Sequence, residues 1–560
     1  MEETVSGGKI CVKAYSVLRM TVLLLPPDGN GPYRVLRAFS QKGVRLLHES
    51  MLDPERAQIS CLKAVLDSAR GTLFAEKSGL NSKMDLDDFR KAVPVRTYAE
   101  QQSYFDRVAL GEPNVLTRHP VKQLLVTSGT TGPAKYLPVT SVWEKRVSLA
   151  QEMWRLGLVK DREAITRGKA LTLVSPAIEG HLPSGLAFGS NTGRMHARQP
   201  WMVRLRYPAP PAVHELSDPM VRLYCTLRFA LQHTISSITT ANPSTILLMA
   251  RKLEEWSEFL AKDLEQGTLC HGPAAQLDPA LQRSLGRKAK KCVPPKSWKM
   301  AQMWDLASIH CWKGGSARFF LDQFGEALGG EVPVREVGIT ASEGYFALPL
   351  SDDDPGGVAW LGAHLMEFVD STGKSRWAWE LEKGETYRLV ISTTAGLYRY
   401  DLGDLVEVVG WAGGLPRLRF VRKAEAMLNM TGEKVTQDQV LAAAKRVFGA
   451  NALVGLTARM ETVNPPRVEL AVEWLKGRAV EQSGLAEAFD TALRKENVEY
   501  DSKRKSERLG LPIVQILPSG TYANWHLAKV AEGAPDTQIK DLVIAWKDGE
   551  WEALIGASRR

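Results

Sequence analysis

The sequence predicts an α/β protein of two domains. A large N-terminal domain of β-sheets layered with helices is expected over residues 51–421, and a small, mobile α+β C-terminal domain over residues 422–560. The first observation behind this prediction is length, because 560 residues exceed what one hydrophobic core supports. The second is a change of pattern near residue 421, where strand-like segments give way to a helix with its own start signal. Residues 1–50 are expected to form a loosely attached, poorly ordered extension.

The domain junction is predicted from the segment RFVRKAEAMLNMTGEKVTQDQVLAAAKRVF, Arg419–Phe448. A strand ends near Val421 and polar residues follow. Thr436 and Gln439 then form a T-x-x-Q capping box, and the apolar residues of a helix begin directly after it. We place the boundary between the domains at Arg422–Lys423.

Composition and charge exclude several classes of protein. Hydrophobic residues make up 44% of the chain and charged residues 24%, which is typical of soluble globular proteins. Six cysteines lack a CxxC pair and ten histidines lack an HExxH pattern. This spacing favours free thiols in a reducing, cytoplasmic compartment over a disulfide framework or a zinc site. The formal net charge of +9 favours anionic substrates.

Two segments resemble signals for nucleic-acid binding and for membranes. The basic run RKAKK, Arg287–Lys291, has no interleaved aromatic residues and lies close to two prolines, which indicates a solvated loop. The apolar stretch Ala14–Pro27 contains Arg19 and is shorter than the ~20 residues that a spanning helix needs. We therefore expect neither a nucleic acid nor a membrane as partner.

The stretch LLVTSGTTGPAKY, Leu124–Tyr136, predicts a phosphate-binding loop. A buried strand runs into a turn whose two glycines permit backbone angles closed to other residues. Exposed backbone amides can then line a concavity for an anion, and hydroxyl side chains and Lys135 add donors and a compact positive charge. The loop is not a Walker A motif, because Pro133 and Ala134 separate Gly132 from Lys135 and no Ser or Thr follows the lysine.

A second segment, EVGITASEGYFALP, spans Glu336–Pro349. It predicts a strand, a polar TASE turn and an apolar continuation. The carboxylate of Glu343 in this turn is suited to hold Mg²⁺ against ATP phosphates, because hard cations prefer carboxylate oxygen.

A third segment, STTAGLYRYDLGDLVEVVG, spans Ser392–Gly410 and reads as strand, glycine turn and strand. Asp404 follows Gly403 at a tight turn and precedes an apolar run. This position suits an acceptor for the hydroxyl groups of a ribose.

These motifs together resemble known enzymes. TSGTTGPAK resembles the phosphate loop of acyl-adenylate-forming enzymes, the superfamily of firefly luciferase and acyl-CoA synthetases. With CWKGGSARFF (Cys311–Phe320), SEGYF (Ser342–Phe346), LYRYDLGD (Leu397–Asp404) and GTYANWHLAKVAEGAPDTQIK (Gly520–Lys540), the chain is similar to the acyl-acid amido synthetases of the auxin-responsive Gretchen Hagen family, in its bacterial-type branch. The last segment matters most, because such a tail is characteristic of amido synthetases rather than of acyl-CoA ligases.

The resemblance implies the acyl-adenylate-forming fold and a role for each matching residue. Glu343 takes the metal-linked, catalytic position and Asp404 holds the ribose. Arg422 lies in the hinge and is also expected to contact the nucleotide. Lys540 matches the catalytic C-terminal lysine that is brought over the ATP phosphates and the acyl carboxylate. The remaining nucleotide-binding positions, in the phosphate loop and by the adenine, are Thr127, Ser128, Gly129, Thr130, Thr131, Gly132, Lys135, Thr340, Ala341 and Ser342.

Two positions depart from the family pattern. Ile339 stands where the family usually has a tyrosine, so Tyr345 or a purely apolar slot is expected to accommodate the adenine. Asp401 stands where arginine is common, which changes a charge near the nucleotide. Neither change removes a group that the chemistry needs.

The predicted function is that of an ATP- and Mg²⁺-dependent ligase. It would adenylate a small carboxylic acid and transfer the acyl group to an amine, an amino acid by resemblance, giving an amide, AMP and pyrophosphate. An acyl-CoA ligase using the same acyl-AMP is the alternative within enzymes, and a catalytically silent nucleotide-binding scaffold is the alternative outside them. The segments that resemble the borders of the acyl pocket, Leu171–Ser190 and Ile238–Trp256, name no acid, and no feature specifies the oligomeric state.

Overall fold

The computed structural model of the chain describes most of its 560 residues. The ranges are 29–127, 135–352, 354, 356–424, 427–428, 433, 435–449, 452–463, 465–475, 483–505, 509–534, 539, 541–545 and 549–558. The side chains of Thr127, Ser316, Arg318 and Phe319 lie outside this description.

The helices before residue 330 are, in chain order, α1 (Gly31–Phe39), α2 (Gln41–Leu52), α3 (Pro54–Ala69), α4 (Leu73–Ser78), α5 (Leu86–Ala92), α6 (Tyr98–Ala109), α7 (Ser141–Asp161), α8 (Asn191–Ala197), α9 (Trp201–Arg204), α10 (Pro211–His214), α11 (Pro219–Ala230), α12 (Pro243–Glu255), α13 (Ser257–Gln266), α14 (Pro279–Gly286), α15 (Met300–Met303), α16 (Arg318–Leu321) and α17 (Phe324–Leu328). Short 3₁₀ turns lie at Glu163–Thr166, Gly272–Gln276, Gly315–Ala317 and Ala378–Glu380.

Several of these helices begin at an Asp–Pro or Asn–Pro pair, and α3, α11, α12 and α14 are examples. In each, the Asp or Asn side chain accepts a hydrogen bond from a backbone N–H of the first turn. The proline at the first helical position has no N–H to leave unsatisfied. This local chemistry fixes where each helix begins.

Three sheets make up the large domain. The first has the order β2-β1-β5-β4, with β1 (Gln123–Thr127), β2 (Lys135–Val139), β4 (Gly180–His181) and β5 (Ala187–Gly189). The second is parallel, order β3-β6-β7-β8, with β3 (Lys169–Thr172), β6 (Ile235–Thr239), β7 (Ser308–Cys311) and β8 (Val334–Glu336).

The third sheet is antiparallel and has eight strands in the order β13-β12-β14-β15-β16-β11-β10-β9. Its strands are β9 (Ile339–Ala341), β10 (Gly344–Leu348), β11 (Gly357–Ala359), β12 (Leu365–Val369), β13 (Ser375–Arg376), β14 (Thr386–Ser392), β15 (Tyr400–Ala412) and β16 (Leu415–Lys423). Strands β10 and β12 are buried along their whole length, because helices of the N-terminal part cover this sheet.

Two apolar cores hold the large domain together. One packs helices α1–α7 against the antiparallel sheet, with Trp360 and Tyr398 among its fully buried members. The other surrounds the parallel sheet and contains Ile238, Ile246 and Ile309. The parallel sheet needs covering elements on its faces, because strands β6 and β7 are buried along most or all of their length.

The described part after residue 424 forms a smaller unit with its own cores. Its strands are β17 (Met427–Leu428), β18 (Val435–Thr436), β19 (Leu453–Glu461), β20 (Arg467–Trp474) and β21 (Ile513–Leu517). Its helices are α18 (Gln437–Phe448), α19 (Leu485–Glu496), α20 (Val498–Lys505), α21 (Thr521–Ala531) and α22 (Glu550–Ala557). The predicted capping box is confirmed, because Thr436 and Gln439 exchange side-chain and backbone hydrogen bonds at the start of α18.

The two units are in contact. Phe320 of the large domain belongs to the core of the small one, and Asp322 forms an ion pair with Lys445 of α18. The segment CWKGGSARFF therefore ends at the surface where the domains meet.

The N-terminal residues differ from the prediction of a loose extension over 1–50. In the structure α1 and α2 cover residues 31–52, and Tyr33 and Leu47 are fully buried. Asn30 caps α1 and its amide donates to the carbonyl of Val159 in α7. The described start of the packed domain is thus near residue 31, because these helices cover apolar surface of the core.

No helix among the residues that the structure describes combines the length and apolar character needed to cross a bilayer.

Candidate active site

The phosphate-loop segment is framed by a β-hairpin. Thr127 ends β1 and pairs in register with Lys135 at the start of β2. Residues 128–134, which include the predicted Ser128, Gly129, Thr130, Thr131 and Gly132, lie outside the described residues. Antiparallel strands on both sides of the segment differ from a Walker A motif, in which a strand is followed by a helix.

Lys135 lies beside aromatic side chains. Its ammonium nitrogen is 5.4 Å from the centre of the Tyr98 ring, and the Tyr98 hydroxyl accepts a 3.0 Å hydrogen bond from the backbone N–H of Tyr136. The start of β2 is therefore joined to Tyr98 of α6 by a hydrogen bond, and Lys135 lies on the side that faces this ring.

The predicted metal-linked turn is the tip of the β9–β10 hairpin. Ala341 pairs with Gly344, which leaves Ser342 and Glu343 in the turn. The hydroxyl of Thr340 donates to the carbonyl of Gly344, and the indole N–H of Trp143 donates to the carbonyl of Glu343 at 3.2 Å. Both sides of the turn are therefore anchored, and the half-buried carboxylate of Glu343 extends from a fixed backbone.

The residue after Glu343 must be a glycine because the space beside it is filled by a neighbouring side chain. A Cβ at Gly344 would lie 2.3 Å from Nε2 of the buried His364 ring. Because contacts under 3.0 Å force a neighbour to move, any side chain here would displace the turn. Packing against His364 therefore explains why the SEGYF segment has a glycine at this position.

Tyr345 does not face an open nucleotide site in this structure. Tyr345 is only 4% exposed, and its hydroxyl group donates a hydrogen bond to the carbonyl of Val337. Burial raises the pKa of the phenol far above its usual range, so it stays a neutral donor. Stacking of Tyr345 on adenine would require the ring to leave the core, and Ile339 beside it is also buried.

A buried tyrosine approaches Glu343 from β15, which strands β16 and β11 separate from β10 in the same sheet. Tyr400, the first residue of β15, makes a long hydrogen bond of 3.5 Å from its hydroxyl to Oε1 of Glu343. Burial, and then the nearby Glu343 carboxylate, raise the pKa of Tyr400 well above its usual value. The phenol therefore remains a donor and orients the carboxylate.

Asp404 is paired with a lysine that the sequence pattern did not single out as a functional group. It lies opposite Lys423 in the β15–β16 ladder, and the two side chains form an ion pair of 2.5 Å. Asp404 is 6% exposed, whereas the Lys423 side chain is 43% exposed. The predicted glycine turn is a kink inside β15, where Gly403 has a φ of 65°.

The charge of Lys423 is stabilised by the carboxylates around it. Loss of water contact lowers the pKa of its ammonium, but Asp404 and then Glu343 and Asp401 outweigh that loss and raise the pKa overall. Lys423 also donates to the carbonyl of Leu402 at 2.9 Å. The side chains of Glu343, Asp404 and Lys423 thus share one electrostatic environment.

Asp401, which stands where the family commonly has arginine, is held by contacts with its neighbours. Its carboxylate accepts from the backbone N–H of Gly403 at 2.8 Å and forms a 3.3 Å ion pair with Arg388 of β14. Because Asp401 is occupied in this way, its negative charge supports the kink at Gly403.

Arg422 braces the last residues of β16. Its guanidinium donates to the carbonyls of Lys423 and Ala424 at 3.1 and 3.3 Å. Burial lowers the pKa of Arg422, and Asp438 of α18 counters that effect. The side chain therefore holds the backbone at the predicted hinge.

A buried ion pair holds the LYRY turn, and the sequence analysis did not anticipate it. Arg399 has a φ of 42°, which is uncommon for a residue with a side chain. Its guanidinium makes two 2.9 Å hydrogen bonds to the carboxylate of Glu367 and donates to the carbonyl of Val93. This brace immediately precedes Tyr400 and Asp401.

Lys540 lies outside the described residues, but its neighbour Asp541 contacts the large domain. The side-chain amide of Asn242, the residue that caps α12, donates to Oδ2 of Asp541 at 3.4 Å. Burial raises the pKa of Asp541 to about 6, although Asn242, His526 and Ser244 oppose the shift. The end of the predicted tail motif is therefore attached to the start of a helix in the other domain.

The predicted acyl-border helix α12 belongs mainly to the core. Ile246 and Met249 are fully buried, and Leu247 and Leu248 pack against the same cluster. These four side chains therefore pack in the core around the parallel sheet.

Comparisons with known proteins cover nearly the whole chain. Residues 43–334 match the GH3 family N-terminal domain, residues 358–423 the GH3 family central domain and residues 435–545 the GH3 family C-terminal domain. A jasmonoyl–L-amino acid synthetase of Nicotiana attenuata is 25% identical over 538 residues, covering 87% of this chain and 91% of the relative. An indole-3-acetic acid-amido synthetase of Oryza sativa subsp. indica is 27% identical over 440 residues, covering 72% of each chain.

A solved structure has the same fold. The structure of the GH3.15 acyl acid amido synthetase aligns with a TM-score of 0.79 and 20% identity, over 90% of this chain and 93% of that one. The protein is an AMP-forming ligase that joins a carboxylic acid to an amine through an acyl-adenylate. More particularly, the chain belongs to the GH3 family.

Proposed function

We propose that the half-reactions of this ligase take place where the β1–β2 hairpin, the β9–β10 turn and the β15–β16 ladder meet. The observation that carries the proposal is the grouping of Glu343, Tyr400, Asp404 and Lys423, linked by hydrogen bonds, an ion pair and mutual charge effects. Lys135 is connected to the same region, since Tyr98 lies beside Lys135 and close enough to Tyr400 to affect its titration.

Mg²⁺ fits this proposal through Glu343. Its carboxylate is half-buried, rests on an anchored turn and receives a long hydrogen bond from Tyr400. Carboxylate oxygen is the ligand that Mg²⁺ prefers, and the cation would supply charge neutralisation on the phosphates of ATP. We assign Glu343 as its protein ligand.

The first half-reaction needs positive charges beside the ATP phosphates and precise placement of the acid against the α-phosphorus. A free carboxylate is a poor electrophile, because attack must expel an oxide and its charge repels the nucleophile. A carboxylate oxygen of the acid therefore attacks the α-phosphorus of ATP and pyrophosphate leaves. Positioning supplies ~7–11 kcal/mol of such a barrier and preorganised charges several more. We assign the positive charge to Lys135 and Lys540, and the ribose contact to Asp404.

The second half-reaction forms the amide. The neutral amino group of an amino acid attacks the carbonyl carbon of the mixed anhydride, AMP leaves with the bridging oxygen, and the amine loses a proton. The choice of an amino acid follows the names of the relatives, which are amino acid and amido synthetases. We assign no particular acid, and we place the reaction in the cytoplasm because the described cysteines are all unpaired.

The two half-reactions are proposed to need different positions of the small domain. Lys540 belongs to the first step, and movement about Arg422–Lys423 then admits the amine. Support comes from the location of Arg422, which braces the end of β16 directly before the small domain.

The test separates the steps. Lys540→Ala is expected to abolish acid-dependent exchange between ATP and labelled pyrophosphate, yet to form amide at nearly the normal rate from chemically prepared acyl-AMP. Lys529→Ala, which removes an exposed ion pair on α21, is the matched control and should retain both activities. Equal loss of both steps in Lys540→Ala would contradict this division. Offering coenzyme A beside a panel of amino acids identifies the acceptor.

A further inference from the structure

Three potential metal ligands meet on the parallel-sheet half of the large domain, away from the residues proposed for catalysis. Asp263 lies near the end of α13, and Cys270 and His271 follow in the loop that leads into the 3₁₀ turn Gly272–Gln276. Nδ1 of His271 is 2.8 Å from Oδ1 of Asp263. Sγ of Cys270 is 3.8 Å from the same oxygen and 3.6 Å from Nδ1 of His271.

We infer that Asp263, Cys270 and His271 form a binding site for a divalent cation, with zinc as the best match to a thiolate, an imidazole and a carboxylate. Zinc binds nitrogen and oxygen ligands at about 2.0–2.2 Å and sulfur at about 2.3 Å. In tetrahedral geometry these lengths place the ligand atoms about 3.3–3.6 Å apart. The two sulfur distances already match that spacing to within a few tenths of an ångström, and only the nitrogen–oxygen pair must open.

The carboxylate of Asp263 is fixed in place by hydrogen bonds from its neighbours. Asp263 is fully buried, and its two oxygens accept hydrogen bonds from the hydroxyls of Tyr224 and Thr268, both at 2.7 Å. The backbone N–H of Cys270 donates to Oδ1 at 3.0 Å. Hydrogen-bond partners of this kind fix the orientation of a metal-coordinating side chain and tune the affinity of the site for the metal.

The charges in the site also suit a divalent cation. Both oxygens of Asp263 accept hydrogen bonds from O–H or N–H donors, as a carboxylate anion does. A cation would displace the thiol proton of Cys270, and the imidazole of His271 would carry its hydrogen on Nε2. A thiolate, a carboxylate and a neutral imidazole together balance the two positive charges.

Access to the site is open from one side. Cys270 is exposed and the His271 side chain is 28% exposed, so a water molecule can complete the four ligands. The site joins α13 to the loop that contains the buried Leu269 and that leads to the buried Ala274 in the 3₁₀ turn. Its expected role is to fix that loop, and it is independent of ATP chemistry.

The spacing of the ligands explains why no sequence motif marks the site. Cys270 and His271 are adjacent, and Asp263 precedes them by seven and eight residues. The three side chains converge only because the chain reverses after α13, where Gly267 has a φ of 70°.

The test uses tag-free, full-length protein that has been freed of metals with a chelator, with Co²⁺ as a spectroscopic probe and Zn²⁺ as competitor. The wild type is expected to bind one Co²⁺ with the near-ultraviolet thiolate-to-cobalt band, and Zn²⁺ should displace it and raise the melting temperature. Cys270→Ser should lose the band, and His271→Ala should weaken Zn²⁺ binding by about tenfold or more.

Cys292→Ser is the matched control, because Cys292 is partly exposed but is not among the three grouped ligands. It should keep both the band and the stabilisation by Zn²⁺. Absence of the band in the wild type, its survival in Cys270→Ser or its equal loss in Cys292→Ser would overturn the inference. Asp263 would then be only a hydrogen-bonding anchor of the loop.

Discussion

The brace between Glu367 and Arg399 should be among the most sensitive single contacts of the large domain. Glu367 has 2% of its side chain exposed and Arg399 has 8%. Besides its two bonds to Arg399, the carboxylate accepts from Arg90 at 3.0 Å and from Ser375 at 2.6 Å. Glu367→Gln removes the negative charge and leaves Arg399 buried with backbone carbonyls as its main partners.

The expected cost follows from that burial. Removing one member of a buried ion pair destabilises a protein by about 3–5 kcal/mol, because the remaining charge is uncompensated. The matched control is Glu407→Gln on β15, whose partner Arg419 has 52% of its side chain exposed. Exposed pairs of this type contribute about 0–1 kcal/mol.

The assay is denaturant unfolding of the large domain followed by tryptophan fluorescence. Trp377 is a suitable reporter, because the guanidinium of Arg90 lies 3.7 Å from the centre of its ring. A double-mutant cycle of Glu367→Gln with Arg399→Met should give a coupling free energy of about 2–3 kcal/mol. If Glu367→Gln costs no more than Glu407→Gln, or if the coupling is near zero, the reasoning is refuted.

Three further outcomes are expected. Glu343→Gln should lower acid-dependent ATP–pyrophosphate exchange by about 10²-fold or more, since it removes an aimed charge, and the loss should shrink at high Mg²⁺; an unchanged rate would remove Glu343 from the site. Lys423→Met should raise the KM for ATP by about tenfold, and unaltered steady-state kinetics would contradict its proposed place. Because it leaves the buried Asp404 carboxylate without its partner, it should also destabilise the protein more than Glu407→Gln does. The raised pKa of Asp541, about 6, means that its docking at Asn242 is most favourable when the carboxyl is protonated and weakens as pH rises through 6. Energy transfer between probes on the two domains should therefore fall between about pH 4 and pH 6, the interval between the ordinary pKa of 3.8 and the raised pKa, in the wild type and in Glu532→Gln, but stay level in Asp541→Asn.

Local signals in the sequence predicted the parts of the structure that depend on neighbouring residues. The capping box at Thr436 and Gln439 and the turn at Ser342 and Glu343 were predicted with their correct positions. Each is decided within a few residues by side-chain hydrogen bonds or by a polar break between apolar strands.

The parts that depend on distant pairing were not predictable in the same way. Arg399 and Glu367 are 32 residues apart, and nothing near either residue indicates that they share a buried site. The sequence indicates Lys423 only as a residue of the domain boundary, whereas antiparallel pairing of β15 with β16 places it opposite Asp404.

Two other differences between the predicted and the observed structure do have local sequence signals. Asn30 followed by a glycine and a proline is a helix-start pattern, and it marks α1 within the supposed extension. Tyr345 lies two residues beyond the turn, and β10 is buried along its whole length. The orientation of a tyrosine side chain within so apolar a segment is set by packing in the core rather than by a bound ligand.

The chemistry at the α-phosphorus is tested most directly by following an oxygen atom. The enzyme is given a carboxylic acid that it accepts, labelled with oxygen-18 in its carboxylate, together with unlabelled ATP and an amino acid. Mass spectrometry should find one labelled oxygen in AMP and the other in the amide, because a carboxylate oxygen becomes the bridge to phosphorus. Label in orthophosphate, with ADP as the nucleotide product, would contradict the account.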